Sequence, residues 1–383
     1  MKIGILTQPL KSNYGGLLQA FALQQCLINL GHNPVTISRD FLPESILKKI
    51  IPLVKRILLR YIKGRKDIIV FPLEMTKQEY IVYTRNTTHF TLNNIITTKR
   101  IINFKELIDI SKNFDALVVG SDQVWRPKYS PFLYNYFLDF VPKSSDLLKL
   151  SYAASFGVDQ WEFTEKETKI CKDLLKNFDG ISVREDSGIL LCKENMDAKA
   201  EHVLDPTFLL SPNVYVNMIN KEDLINSSKT LMAYVLDTSV KKVAYLKQIS
   251  NELNVSLVHI DLETRFTIER RKNLSDYILP SISKWLSEFY KADYIITDSF
   301  HGTAFAIIFN KQFISIGNRK RGISRFTSIL NLFGLSERLV YSFGEITSKQ
   351  LEKPINYTEV NFLLSKHKRF SIDYLKNVLN NNE

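Results

Sequence analysis

Short β-branched runs alternate along the chain with stretches of helical apolar spacing, the pattern of parallel sheets in an α/β fold. Lys2–Leu6 reads as a buried strand, Gln8–Gly16 as a turn-rich loop, and Leu17–Leu30 as a helix closed by Gly31. Asn33–Ser38, Ala116–Val119, Leu150–Ala154 and Gly180–Val183 come next as strands, and Val203-Leu204-Asp205-Pro206 closes a first domain over residues 1–211. The polar stretch 212–228 is the expected linker. A second alternation fills 229–345, with strands at Leu231–Leu236, Ser256–Ile260, Tyr294–Thr297 and Gln312–Ile316. Its helices are Val240–Asn254, Ser283–Ala292, Thr303–Asn310 and Ser324–Phe333. A last helical pattern in 346–383 is expected to pack back on the first domain. The expected fold is two Rossmann-like domains facing a cleft. In such sheets ligands bind outside the carboxyl ends of the strands, so the loops after Leu6, Val119, Val183 and Thr297 carry the candidate chemistry.

A 383-residue chain with 45% hydrophobic and 24% charged residues suits two globular domains, not a disordered, collagen-like or coiled-coil protein. The longest apolar runs, such as Thr303–Phe309, fall short of a bilayer span, and Met1–Thr7 does not read as a signal peptide. Cys26, Cys171 and Cys192 show neither a disulfide framework nor a zinc spacing, so a reducing cytoplasm is the expected compartment. The six histidines show no paired ligand spacing, and no metal is expected. The net charge is +11, but eight basic residues and no acid lie between Ser45 and Lys66, leaving +3 for everything else. That concentration argues against a nucleic-acid reading surface.

At the end of the Tyr294–Thr297 strand, Asp298-Ser299-Phe300-His301-Gly302-Thr303 leads into a helix. Its mouth is suited to an anion, with backbone amides from Gly302 onward facing the ligand and His301 placed to donate to it or move a proton. A merely capping His301 is the alternative. Arg184 ends the Gly180–Val183 strand, where a guanidinium suits carboxylate or phosphate, or pairs with a local acid. Tyr14-Gly15-Gly16 permits close backbone approach but is no dinucleotide fingerprint. Gly120-Ser121-Asp122-Gln123-Val124-Trp125-Arg126 offers polar groups and an aromatic platform for a sugar, unless Trp125 belongs to the core. Asp205, beside Pro206, is placed to orient or deprotonate a hydroxyl, or simply to cap the next helical turn; Arg319-Lys320-Arg321 could close over an anion, or be a solvated basic loop.

Residues 45–66 form an amphipathic helix at about 100° per residue. Ile46, Ile50, Ile51, Val54, Ile57 and Tyr61 share one half, while Lys48, Lys49, Lys55, Arg56, Arg60 and Lys63 share the other. An apolar face opposite an all-basic one fits a helix lying in an anionic membrane surface; an ordinary helix docked on the domain is the alternative.

Taken in order, Tyr14-Gly15-Gly16, Gly120-Ser121-Asp122-Gln123-Val124-Trp125, Ser151-Tyr152-Ala153-Ala154-Ser155-Phe156-Gly157, Ser182-Val183-Arg184-Glu185, Asp205-Pro206-Thr207 and Asp298-Ser299-Phe300-His301-Gly302 resemble the polysaccharide pyruvyl transferase family. The resemblance runs from residue 1 to about 335. It implies a fold similar to GT-B glycosyltransferases and transfer of the enolpyruvyl unit of phosphoenolpyruvate onto a sugar, giving a pyruvate ketal in bacterial capsule or cell-wall polysaccharide synthesis. No cofactor is implied beyond phosphoenolpyruvate as the donor substrate. On this reading Arg184, Ser299, His301, Gly302, Thr303, Arg319 and Lys320 hold the donor, and His301 or Asp205 protonates it. Tyr14, Gly15, Gly16, Ser121, Asp122, Trp125 and Arg126 take the sugar acceptor.

Family members often carry an arginine two residues before the histidine, and here that position is Ser299. A second donor-binding cation is then expected from Arg319, Lys320 or Arg126. The basic helix implies an enzyme on the inner face of the cytoplasmic membrane, meeting a polyprenyl-diphosphate-linked sugar there. The rival readings are a nucleotide-sugar glycosyltransferase on the same scaffold, and a non-catalytic membrane-bound assembly protein.

Overall fold

The two alternations build two parallel sheets in the computed structural model, which describes residues 1–40, 46–65, 68, 70, 75–225, 228–236, 239–260, 274–318 and 322–380. In the first sheet β1 (Lys2–Leu6), β2 (Asn33–Thr36), β3 (Ala116–Val119) and β4 (Leu148–Ser151) lie in the order β2-β1-β3-β4. The short strands β5 (Ser182–Val183) and β6 (Glu201–His202) pair with each other and continue this sheet through parallel bridges Leu150–Gly180 and Ala154–Val183. The second sheet comprises β7 (Thr230–Tyr234), β8 (Ser256–His259), β9 (Tyr294–Thr297), β10 (Gln312–Ile316) and β11 (Leu339–Val340), in the order β11-β10-β9-β7-β8. Every strand pair is parallel. Parallel sheets bury both faces, so central strands are continuous apolar runs: Ala116-Leu117-Val118-Val119 is wholly buried.

Helix α1 (Tyr14–Asn29) connects β1 to β2 and is packed on two sides. Leu23, Cys26 and Leu27 face the first sheet beside Ile3 and Ile5. Tyr14, Leu17, Leu18 and Phe21 join a core that also holds Trp285, Phe289 and Phe305 of the second domain. Its first turn precedes the Leu17 start read from the sequence, because Gly15 and Gly16 break the apolar pattern without breaking the helix. The stretch 212–228 is partly ordered by packing. It holds a short helix, Pro212–Val216, whose Tyr215 is fully buried and donates to the Thr207 carbonyl at 2.7 Å.

Helix α2 (Ile46–Ile57) contains Pro52 and runs into a π turn at Leu58–Ile62. Proline cannot donate the helical hydrogen bond, and the π turn shifts the helical register of the residues beyond it. Apolar side chains here are uncovered: Ile51, Tyr61 and Ile62 are 79%, 73% and 75% exposed. No helix among the described residues is long and apolar enough to cross a membrane.

Three further helices frame the cleft: α3 (Asp186–Met196) after β5, α4 (Phe300–Ile308) after β9, and α5 (Ser324–Leu332) after β10. The terminal helix α6 (Tyr357–Asn380) returns to the first domain, where Tyr374 donates to the Ser151 carbonyl at 2.9 Å. Leu375 and Leu379 complete the core around Ile3, Ile5 and Leu150.

Candidate active site

The carboxyl ends of β3, β5 and β6 converge on a buried polar cluster. Arg184, just past β5, places Nη1 2.9 Å from Asp205 Oδ2, and Ser121 Oγ donates to the same oxygen at 3.0 Å. Asp205 Oδ1 accepts from the Thr207 amide at 3.0 Å and its hydroxyl at 2.8 Å. Asp122 Oδ1 lies 3.8 Å from Arg184 Nη2. Asp122 has φ 82°, a backbone strain of the kind concentrated at functional sites. From the second domain, His301 in the first turn of α4 brings Nε2 to 3.5 Å from Asp205 Oδ2.

Burial alone would raise the Asp205 pKa, but His301 and Arg184 outweigh it and hold the carboxyl far below the usual carboxylate range. Arg184 is likewise pushed up: burial opposes its charge, and Asp205, Asp122 and Glu185 more than offset that. Even so, Arg184 Nε and Nη2 and His301 Nε2 have no hydrogen-bond partner among the described residues.

Gly15 explains how the two domains meet here. A Cβ on Gly15 would stand 2.0 Å from His301 Nδ1, so the glycine lets α1 lie directly against the imidazole. Nearby, Tyr14 donates to the Pro280 carbonyl at 2.7 Å and stacks on Trp285 with centroids 5.6 Å apart.

The mouth of α4 differs from expectation. The helix starts at Phe300, three residues before the Thr303 start read from the sequence, with Ser299 as its N-cap. The amide of Gly302 donates to Ser299 Oγ at 3.3 Å and that of Thr303 to the Ser299 carbonyl at 3.0 Å, so neither faces a ligand. Thr303 is fully buried, its Oγ1 2.7 Å from Ser315 Oγ, and Gly302 leaves room for Thr297 Oγ1. Ser299, Gly302 and Thr303 therefore shape and cap the helix start that carries His301, and the amides of Gly302 and Thr303 are spent within it.

The residues expected to take the acceptor also separate. Ser121 and Asp122 join the Arg184 cluster, and Gly15 contacts His301, with Gly16 next to it on α1. Tyr14 is an interdomain strut. Trp125 is fully buried, stacked on Phe137, and donates through Nε1 to the Tyr136 carbonyl at 2.9 Å; it belongs to the core and offers no platform. Arg126 Nε and Nη2 each lie 2.9 Å from a Glu162 carboxylate oxygen, and Nη1 donates to Gln123 at 3.0 Å, which commits its charge. Arg319 and Lys320 lie outside the described residues.

Arg325 was not among the residues read from the sequence. It sits in the first turn of α5, 9% exposed, with its guanidinium 5.9 Å from the Phe300 ring; that of Arg184 is 4.5 Å from the same ring. Burial first, and then the like charge of Arg184, lower the Arg325 pKa to about 10. The sequence signal was available: Arg325 lies beyond β10 at another junction of loop and helix. No group of three His, Cys, Asp or Glu suited to a metal occurs among the described residues.

The fold is that of GT-B glycosyltransferases and epimerases, two Rossmann-like domains across a cleft. Arabidopsis thaliana UGT89C1 complexed with UDP-L-rhamnose matches with a TM-score of 0.53 at 9% identity, over 97% of each chain. The S. aureus MnaA–UDP co-structure matches with a TM-score of 0.50 at 11% identity, over 99% of this chain and 97% of the other. At such identities the likeness is one of fold. No curated protein sequence matches the chain. The family model for polysaccharide pyruvyl transferase covers residues 13–320, which takes in Gly15, Ser121, Arg184, Asp205 and His301, and the chain belongs to that family.

Proposed function

We propose that the protein transfers the enolpyruvyl unit of phosphoenolpyruvate onto two hydroxyls of one acceptor sugar, forming a cyclic ketal and releasing phosphate. The observation carrying this reading is the buried cluster whose hydrogen-bonding capacity is left open at Arg184 Nε and Nη2 and at His301 Nε2. Unsatisfied buried donors are costly, and a small ligand with phosphate and carboxylate groups matches them. Asp205 is held ionised by Arg184 and His301, so it is not the proton donor. That role falls to His301, whose Nε2 lies 3.5 Å from Asp205 Oδ2 with its hydrogen-bonding capacity open.

In the proposed reaction His301 gives a proton to the methylene carbon of the donor, whose double-bond electrons form the new C–H bond. A cationic centre develops at the adjacent carbon, and one sugar hydroxyl attacks it while losing its proton. The bond to phosphate then breaks and phosphate departs with its electron pair; the neighbouring hydroxyl attacks the same carbon and gives up its proton to close the ketal, so that of the two hydroxyl protons one restores His301 and the other leaves with phosphate. Arg184 stabilises the charge on the departing phosphate or on the carboxylate.

Thermal unfolding with phosphoenolpyruvate and with UDP tests the donor. Phosphoenolpyruvate at 100 times its Kd should stabilise the protein by about 2.7 kcal/mol, and UDP should leave the midpoint unchanged. Stabilisation by UDP alone would replace this reading with a nucleotide-sugar transferase.

The acceptor is, on the same proposal, a sugar carried on polyprenyl diphosphate at the inner face of the cytoplasmic membrane. Exposed Ile51, Val54, Tyr61 and Ile62, accompanied by Lys55 and Lys63, support α2 and its π turn as the docking element. Each basic residue near an anionic surface contributes about 1 kcal/mol. Substituting Lys48, Lys49, Lys55 and Lys63 by Glu should therefore abolish co-sedimentation with phosphatidylserine vesicles. Equal pelleting of both proteins would overturn the membrane assignment.

A further inference from the structure

We infer that Arg325 is the second cation of the donor site, holding one anionic group of the donor while Arg184 holds the other. This rests on the phosphoenolpyruvate reading above and concerns a residue beyond the span that the family model matches. Arg184 engages Asp205 through Nη1, which leaves its Nε and Nη2 edge for one ligand group. That edge is the bidentate fork of a guanidinium, and one fork serves one carboxylate or one phosphate. Phosphoenolpyruvate carries both groups, so one fork leaves the other group without a guanidinium of its own.

Among the described residues the expected sources of a second cation are limited, Arg319 and Lys320 lying outside them. Ser299 is uncharged and caps α4, and Arg126 is committed to Glu162. Arg325 is the guanidinium that meets the same ring as Arg184, with Phe300 in contact with both. It reaches the site from the second domain, whereas Arg184 belongs to the first. Its approach is fixed by close packing across the cleft. Gly322 has φ +97°, and a Cβ there would stand 1.5 Å from the Gly157 carbonyl oxygen and 3.6 Å from Arg325 Nε. Gly157 in turn donates to Glu185 at 2.9 Å, and the Asp186 amide donates to Ser328 Oγ on α5 at 3.0 Å.

Two buried guanidiniums near one another oppose each other's charge, an arrangement partly offset by Glu185 and Asp122. An anion between them removes the conflict. The donor would thus be gripped by one arginine from each domain, which makes closure of the cleft and donor binding the same event.

Isothermal titration of the full-length protein with phosphoenolpyruvate, on wild type, Arg325→Gln and Arg325→Lys, tests the inference. Loss of a charge-assisted pair of hydrogen bonds should weaken binding about 30-fold in Arg325→Gln. Arg325→Lys, which retains charge without the fork, should fall between the two. Failure of wild type to bind phosphoenolpyruvate would remove the donor reading and this inference together. Wild-type binding matched within twofold by a cooperatively folded Arg325→Gln would overturn only the role of Arg325. Should that variant not fold, Arg325→Lys decides by the same criterion, equal affinity again overturning the role.

Discussion

Arg184→Ala should lower stability at neutral pH by about 3–5 kcal/mol and reduce turnover below detection. Both members of the Arg184–Asp205 pair are essentially inaccessible to solvent, so removing the cation leaves a buried carboxylate with much of its compensation gone. The deficit comes from the stranded partner more than from the lost attraction, and a double-substitution cycle separates the two. Arg184→Ala combined with Asp205→Asn should be less destabilised than Arg184→Ala alone, because the neutral amide no longer has a charge to strand. Chemical denaturation of the four proteins supplies the measurement; additive losses would show that the pair does not act as a unit.

The same pair sets an acid limit. Asp205 has a folded pKa depressed below its unfolded value of about 3.9. Its charged form is therefore stabilised by folding, and that contribution is fully present above about pH 4. It is lost as the pH falls from the unfolded value toward the folded one. The stability difference between wild type and Asp205→Asn should accordingly narrow as the pH falls below about 4.

The strands were legible because their signal is local. Lys2–Leu6, Ala116–Val119, Tyr294–Thr297 and Gln312–Ile316 occupy the positions that their apolar runs predict, and strand-end placement singled out Arg184 and His301. Helix starts were less legible. At Tyr14-Gly15-Gly16 and Phe300-His301-Gly302 the first turn carries glycine for tertiary packing, which makes a helix resemble a loop. Side-chain roles were the least legible. Trp125 and Arg126 have the chemistry of a sugar platform, yet Tyr136 and Glu162, brought together only by folding, engage them. Arg325 shows the converse: its neighbours Phe300 and Arg184 are remote in sequence, and only folding brings the three together.

Gly15→Ala should be nearly as damaging to catalysis as His301→Ala, although it changes only a methyl group on the opposite domain. A positioned general acid contributes about 10²–10⁴-fold, so His301→Ala should lower kcat by that order. The alanine methyl on residue 15 would lie 2.0 Å from His301 Nδ1 and 2.7 Å from Cε1, distances that no packed contact tolerates. Either the imidazole leaves Asp205 or α1 moves away from α4; both separate the imidazole from the Arg184 cluster. Overpacking of this kind costs about 1–3 kcal/mol. The double variant is the decisive comparison. With His301 reduced to alanine the obstructing ring is absent, and residue 15 lies within α1 with no positive φ, where alanine is favoured over glycine by up to about 1 kcal/mol. Gly15→Ala should thus destabilise the wild type and stabilise the His301→Ala protein, with no further loss of kcat in the latter. Turnover, read as phosphate released from phosphoenolpyruvate with a lipid-linked acceptor, and unfolding midpoints of the four proteins measure both halves. A Gly15→Ala effect of the same sign and size in both backgrounds would mean that the glycine serves α1 alone and does not place the histidine.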